Sequence, residues 1–419
     1  MAAAVALAER GIPVTVYESA RRLGGRARAV AYKNATLDNG QHLLIGAYRQ
    51  TLRLIETVGV PCDRLLRLPL TWQIVDRFSF RAARLPAPWH LLIGLLGCSG
   101  LSIAARLECM RFLAYWRRKH YVLAEDVTVD ALLGTHGQSA STIRVLWEPL
   151  CVAALNTRPE HASARVFLTV LRDALDAGSS ASEMILPRCD LSALFPEPAS
   201  AYVRARGGCI RPGESVVRID TDARGFALVT NSARHAHRAV ILAAHPSRAA
   251  RLFAHLQPMG PVVESIKPLT HEPIVTVYLQ YGRAPRMPFP MMGFVDACTQ
   301  WLFDRGAISG HEGLLAAVIS ARGRHQHFGH RTLAQHVHAE IAAAFPAVDG
   351  PQWVQVIEEK RATFACVPNL ERPDQETPIR GLFLGGDYTR SEYPATLESA
   401  VRSGLRCADL ACEYLASTT

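Results

Sequence analysis

Small apolar residues run almost unbroken from Ala2 to Ala8, stop at Glu9-Arg10, and are followed by Gly11. This pattern predicts a helix that packs closely on its neighbours and ends at Gly11, which adopts left-handed dihedrals without a Cβ penalty. Pro13-Val14-Thr15-Val16-Tyr17 then reads as a short strand ending in the acid Glu18. Residues 100–180 are mostly helical in their spacing. At Gly207-Gly208 the texture changes, and 216–219 and 226–230 predict strands about the turn Asp222-Ala223-Arg224-Gly225. The continuous apolar run 239–244 predicts a strand buried on both faces. Residues 275–278 and 314–319 predict strands of a second sheet. The chain returns to α/β alternation at its end: strand Leu382-Phe383-Leu384, tight turn Gly385-Gly386-Asp387, and a helix over 396–415.

A helix followed by a buried strand ending in an acid is the second half of a βαβ unit. In a dinucleotide fold a strand and a G-x-G-x-x-G loop precede that helix, about 20 residues before the acid. Counting back from Glu18 puts the glycines at or before Met1. The expectation is that the sequence begins inside the first helix and that Met1 is not the native start.

Composition narrows the function classes. Of 419 residues, 49% are hydrophobic and 20% charged, which excludes a disordered chain and allows two domains, each with its own core. The net charge of +9 fits an anionic partner or only a solvated surface. No basic run with interleaved aromatics stands out, so nucleic acid is not an expected partner. Ten cysteines without a C-x-x-C predict reduced thiols in a cytoplasmic protein. Residues 85–105 carry no charge but hold Pro86, Pro88, His90 and three glycines, which argues for an interfacial or substrate-lining segment rather than a spanning helix. The basic stretch 111–120 comes next; it suits an anionic membrane surface or is an ordinary amphipathic helix. The histidines His325, His327, His330, His336 and His338, on an expected loop, match no metal-ligand spacing.

Three stretches carry chemistry. Glu18 at a strand end can accept from both hydroxyls of a ribose. Six residues on, Gly24-Gly25-Arg26 lets backbone approach a bulky anion and offers a guanidinium to neutralise it; the plainer reading is a surface turn. Asp38-Asn39-Gly40-Gln41-His42 packs polar groups beside an apolar run, as a site or a polar loop. Gly385-Gly386-Asp387 is followed by Pro394-Ala395-Thr396 and a helix with Leu397, Ala400, Gly404, Ala408, Ala411 and Leu415 on one face. That small-residue face permits close approach to a planar cofactor or a strand, and the helix N-terminus favours negative charge.

In that order these stretches resemble FAD-dependent amine oxidases, phytoene desaturases and protoporphyrinogen oxidases. Trp147-Glu148-Pro149-Leu150, Ala153-Ala154-Leu155-Asn156-Thr157, Asp190-Leu191-Ser192-Ala193-Leu194-Phe195 and Glu359-Lys360-Arg361-Ala362-Thr363-Phe364 narrow the resemblance to the hydroxysqualene dehydroxylases, over nearly the whole chain. It departs only where the N-terminal strand and phosphate loop are expected. The resemblance implies an FAD-dependent oxidoreductase of hopanoid biosynthesis acting on an apolar isoprenoid. Its fold would be α/β, with a Rossmann-like FAD-binding domain (1–75, 200–255, 355–419) interleaved with a mixed α+β substrate domain (76–199, 256–354). The implied FAD-binding residues are Glu18, Gly24, Gly25, Arg26, Gly40, Val216 (against adenine), Gly386, Asp387, Pro394, Ala395 and Thr396. Asp38 and His42 are the candidate proton sources, with a structural hydrogen-bonding role as the alternative. A carotenoid-type desaturase and a cofactor-free lipid-binding remnant stay open as alternatives. Peripheral contact with the inner face of the membrane is expected, and no electron donor is legible.

Overall fold

The computed structural model describes residues 1–222, 225–283 and 285–418. Five helices frame the site and its surroundings: α1 (Ala2–Glu9), α2 (Arg49–Thr57), α3 (Trp89–Leu96), α4 (Ile103–Arg118) and α5 (Leu397–Ser417). α1 closes as the sequence predicts. Gly11 has φ +72°, and the N–H groups of Gly11 and Ile12 donate to the carbonyls of Ala8 and Leu7 at 3.1 and 3.0 Å. This pair of bonds satisfies carbonyls that would otherwise lack partners at the helix end. Strand Thr15–Glu18 comes next and pairs in parallel with Cys209–Pro212, while Val240–Leu242 pairs in parallel with Leu382–Leu384. In the run 239–244 the strand is shorter than expected and Ile241 stays half-buried, so it is not covered on both faces.

The hairpin of Val216–Asp222 with Gly225–Thr230 forms, and Arg234–His237 adds a third antiparallel strand. The middle of its expected turn, Ala223 and Arg224, lies outside the described residues. The second sheet is larger than the sequence suggests. Seven strands run in the order Trp353–Phe364, His271–Gln280, Leu314–Ser320, Trp301–Asp304, Met291–Gly293, Thr71–Ile74, Phe78–Arg81. Every position of Leu314–Ser320 is buried, because both faces of this sheet are covered. On one face Leu315, Ala317 and Ile319 pack with Val275, Val277 and Leu279 against Leu333, Val337 and Ile341 of helix His330–Ala344. On the other, Ala316 and Val318 join the main core with Tyr278, Trp301 and Phe303. Alternate side chains of a strand point to opposite faces, so one continuous apolar run serves both cores. This sheet also takes in strands 71–74 and 353–364, which fall largely in segments expected on the FAD side.

One further expectation is met in part and one changes. The small-residue face of α5 meets a strand, Leu382–Leu384, and also α1. A Cβ on Gly404 would stand 3.1 Å from Ala2 Cβ and 3.2 Å from Ala3 N, so glycine there sets the distance between two helices. The histidine run lies on a short 3-10 turn and helix His330–Ala344 rather than on a loop. Its members face different partners: His338 Nδ1 lies 3.1 Å from the Tyr281 hydroxyl, while His336 stacks on Phe328.

Candidate active site

One large cavity, about 1730 Å³, runs between the parallel strand pairs and the seven-stranded sheet. Glu18, Gly24, Gly25, Arg26, Gly40, His42, Val216, Gly386, Asp387, Pro394, Ala395 and Thr396 all line it. Separate loops therefore converge on one end of the cavity, which is polar. The far end is walled by Trp72 and Phe80 of the seven-stranded sheet, Leu91 and Leu95 of α3, and Leu113 of α4.

At the polar end, Gly24 has φ +110°, and a Cβ there would meet the Ala27 carbonyl oxygen at 2.4 Å. This conformation is open to glycine alone. The turn it makes brings Arg26 back across the cavity mouth, where Nη2 donates to both carboxylate oxygens of Asp387 and Nη1 donates to the Ala362 carbonyl. Asp387 is presented by Gly386, with φ +147° and its N–H bonded to Ser403 Oγ at 3.0 Å. Thr396 caps α5, its Oγ1 accepting from Ser399 N at 3.2 Å, so the positive end of a 21-residue helix opens on the cavity. Glu18 accepts from the N–H of Ala20 at 2.8 Å and from the Ser19 hydroxyl at 3.3 Å.

Two wall residues have buried polar atoms with no hydrogen-bond partner among the described residues, Tyr388 (Oη) and His245 (Nε2). His245 stacks on His271 with ring centroids 4.8 Å apart. Burial, then His271, Arg361 and Arg26, push the His245 imidazole down to about 4. Neither histidine is legible in the sequence, because each stands alone in its segment and the two meet only in the fold.

For Asp38 the geometry favours the structural hydrogen-bonding alternative. It is 3% exposed and does not line the cavity. Its Oδ1 accepts from Leu191 N at 2.8 Å, Arg305 Nη1 stands 3.9 Å from Oδ2, and Tyr278 donates to its carbonyl at 3.0 Å. Burial raises its pKa to about 6 against the opposing pull of the Leu191 N–H and Arg305. The side chain ties strand Ala35–Asp38 to segment 190–195, and its backbone carbonyl ties that strand to the seven-stranded sheet. His42 does line the cavity, but its Nδ1 is 2.6 Å from the Gly40 carbonyl, so that nitrogen carries the proton. Burial holds its pKa below the ordinary range despite the Gly40 bond. With Nδ1 held by Gly40, Nε2 is the ring nitrogen left for another partner.

Two other residues that carry the resemblance make bonds that hold the fold, and one of them, Asn156, also lines the cavity. Asn156, in a left-handed conformation at φ +48°, donates to Thr363 Oγ1 at 2.9 Å and to the Pro273 carbonyl at 3.3 Å, and accepts from Ala321 N. Asp190 caps the turn Leu191–Leu194, accepting from Ser192 N and Ala193 N at 3.0 Å each. A polar contact that only folding reveals is Tyr393 with Asp173. The Tyr393 hydroxyl donates to Asp173, which also accepts from Arg172 at 2.7 Å, and Tyr393 and Asp173 both line the cavity. Burial pushes the Asp173 carboxyl up, but these bonds hold it below its ordinary range. Asp173 sits in the π-helical segment Arg172–Asp176, an irregularity often found at sites.

The chain is 30% identical to the hydroxysqualene dehydroxylase of Rhodopseudomonas palustris, covering 98% of this chain and 95% of that protein. It is 29% identical to the enzyme of that name from Sinorhizobium fredii, with the same coverage. Its fold matches the cyclohexylamine oxidase of Brevibacterium oxydans with a TM-score of 0.71 at 14% identity, covering 99% of this chain and 97% of that one. The family model for flavin containing amine oxidoreductases matches residues 1–412, and the chain belongs to that family.

Proposed function

We propose that this chain binds FAD and, with the flavin reduced, converts hydroxysqualene to squalene by reductive dehydroxylation in hopanoid biosynthesis. The observation that carries the reading is a single cavity with a polar end built from converging loops and an apolar end built from two helices and a sheet. Its volume exceeds the ~300–1,000 Å³ usual for one small ligand, as a cofactor and a long substrate together require. The two hydroxysqualene dehydroxylases, similar over nearly full length, support the same substrate class.

Glu18 would take the ribose, Val216 the adenine, and Gly24, Gly25 and Arg26 the pyrophosphate. Gly40, Gly386, Asp387 and the 394–396 segment would hold the ribityl chain and ring. When bound and reduced, the flavin supplies a hydride. Release of the substrate hydroxyl as water would need a proton, for which Asp38 and His42 are the sequence candidates, and the hydride would take its place at carbon. The apolar wall holds the isoprenoid at about 0.8 kcal/mol per buried CH₂ and keeps water from the reacting carbon. Thr396 and the amides of the first turn of α5 stabilise negative charge at the polar end.

The test is anaerobic incubation of the reduced protein with hydroxysqualene, and of the oxidised protein with phytoene-like polyenes. Squalene from the first is expected. Product only from the second would replace this reading with a carotenoid-type desaturase, and a protein purified without flavin absorbance would favour a lipid-binding remnant.

A further inference from the structure

Large apolar side chains are exposed almost entirely in one place. Of the nine that stand out in solvent among the described residues, eight lie between Leu85 and Val122. α3 shows why this is a built surface. Apart from the buried His90 it is apolar, with Leu91 and Leu95 turned in to line the cavity and Trp89, Ile93 and Leu96 turned out, 57%, 46% and 53% exposed. A helix that only covers a core carries polar residues on its outer face. The inner face is fixed against the sheet at Gly94, where a Cβ would meet the Arg81 carbonyl at 2.7 Å. α4 continues the surface with Ile103 and Leu107 exposed on its first two turns. Arg106 ties the two helices, donating to the carbonyls of Leu96 and Leu101.

The charge of this segment is nearly all of one sign. Residues 81–122 hold seven Arg and Lys against a single acid, Glu108, which accepts from the Ser139 N–H. Arg84, Arg111, Arg118 and Lys119 are exposed and make no ion pair among the described residues. Exposed apolar side chains with unpaired cations before and after them in the chain, and an exposed aromatic (Tyr115), match a bilayer interface containing anionic lipid. A protein partner of ordinary surface would leave the cations without counter-charges.

We propose that α3 and the first half of α4 form a wedge that inserts into an anionic phospholipid surface and places the apolar end of the cavity against the bilayer. Leu91, Leu95 and Leu113 line the cavity on the inner side of the same two helices, so the inserted surface and the substrate chamber are separated by one helix layer. No helix among the described residues is long and apolar enough to cross a membrane, and the contact is therefore peripheral. The purpose assigned to the wedge, entry of an apolar chain, rests on the function proposed above; its geometry does not.

Vesicle flotation tests it. The flavin-loaded protein should float with phosphatidylcholine vesicles containing phosphatidylglycerol, less at high salt and less without the anionic lipid. Trp89→Gln with Ile93→Gln and Leu96→Gln should lower partitioning at least tenfold, on the order expected for three exposed apolar side chains, with unchanged flavin absorbance and circular dichroism. Ile103→Gln with Leu107→Gln is a second, independent variant on a separate helix and should do the same. A wild-type protein that stays at the bottom of the gradient, or variants that float as well as it does, would overturn the proposal. So would a dimer in light scattering that these substitutions dissolve, because a second copy would then be the occupant. Delivery of hydroxysqualene in detergent and in vesicles separates the two readings. The variants should slow turnover only from vesicles, whereas no turnover from either would remove the function and leave flotation to decide the surface.

Discussion

Arg26 Nη2 donates to both carboxylate oxygens of Asp387 at 2.7 Å each, across 361 residues of sequence. The pair fastens the glycine turn of the N-terminal segment to the loop that precedes α5, and both residues line the polar end of the cavity.

Removing either partner should therefore reach flavin before it reaches the fold. Arg26→Gln and Asp387→Asn should each weaken flavin retention about tenfold or more, from the loss of a charge-assisted bond at a ligand site, ~1.5–3 kcal/mol. The ratio of flavin to protein absorbance after gel filtration measures it. Unchanged ratios in both variants would show that the cofactor lies elsewhere.

The neighbouring glycines should differ sharply. At Gly24, φ is +110° and a Cβ would stand 2.4 Å from the Ala27 carbonyl oxygen, which leaves no room for alanine. At Gly25, φ is +58° and nothing lies within 4 Å, so Gly25→Ala should cost only ~1–2 kcal/mol of backbone strain. Gly24→Ala should lose flavin or fold. Equal behaviour of the two variants in thermal melts and flavin retention would contradict this account of the turn.

Asp38 should make stability fall as pH rises. Its folded pKa, about 6, lies above the ordinary 3.8, so the fold favours the protonated acid. That contribution is fully present below 3.8 and is lost as pH rises through about 6. Asp38→Asn keeps an acceptor for the Leu191 N–H but cannot ionise. It should match the wild type near pH ~4 and exceed it by up to about 3 kcal/mol near pH ~7. Urea unfolding across this range is the measurement; a pH-independent difference would refute the burial of a protonatable carboxyl here.

Glu398 is 1% exposed and serves α2 as well as its own helix, where Arg402 Nε donates to its Oε1 at 2.8 Å. It accepts from Gln50 N, Thr51 N and Thr51 Oγ1 at 3.2, 2.9 and 2.8 Å, supplying the cap that Tyr48 does not. Glu398→Ala should cost ~2–4 kcal/mol, since it leaves buried donors unpaired. A loss within ~0.5 kcal/mol would mean water or another residue takes over.

The sequence by itself determined several of the elements and most of the residues at the polar end of the cavity. Residues 2–9, 15–18, 216–222 and 382–384 fold locally as their periodicity and turn residues require, because those preferences are set within a few residues of chain. Glu18, Gly24-Gly25-Arg26 and Gly386-Asp387 are legible because each packs its chemistry into a short run. Only the tertiary structure decided that Asp38 points away from the cavity, that Gly404 spaces two helices, and that Tyr393 meets Asp173 across 220 residues. It also decided which apolar residues of α3 face the chamber and which face solvent, since a helix with apolar residues on all sides carries no sign of its inner face. The direction of a side chain depends on what packs against it, and those partners lie hundreds of residues away in the chain.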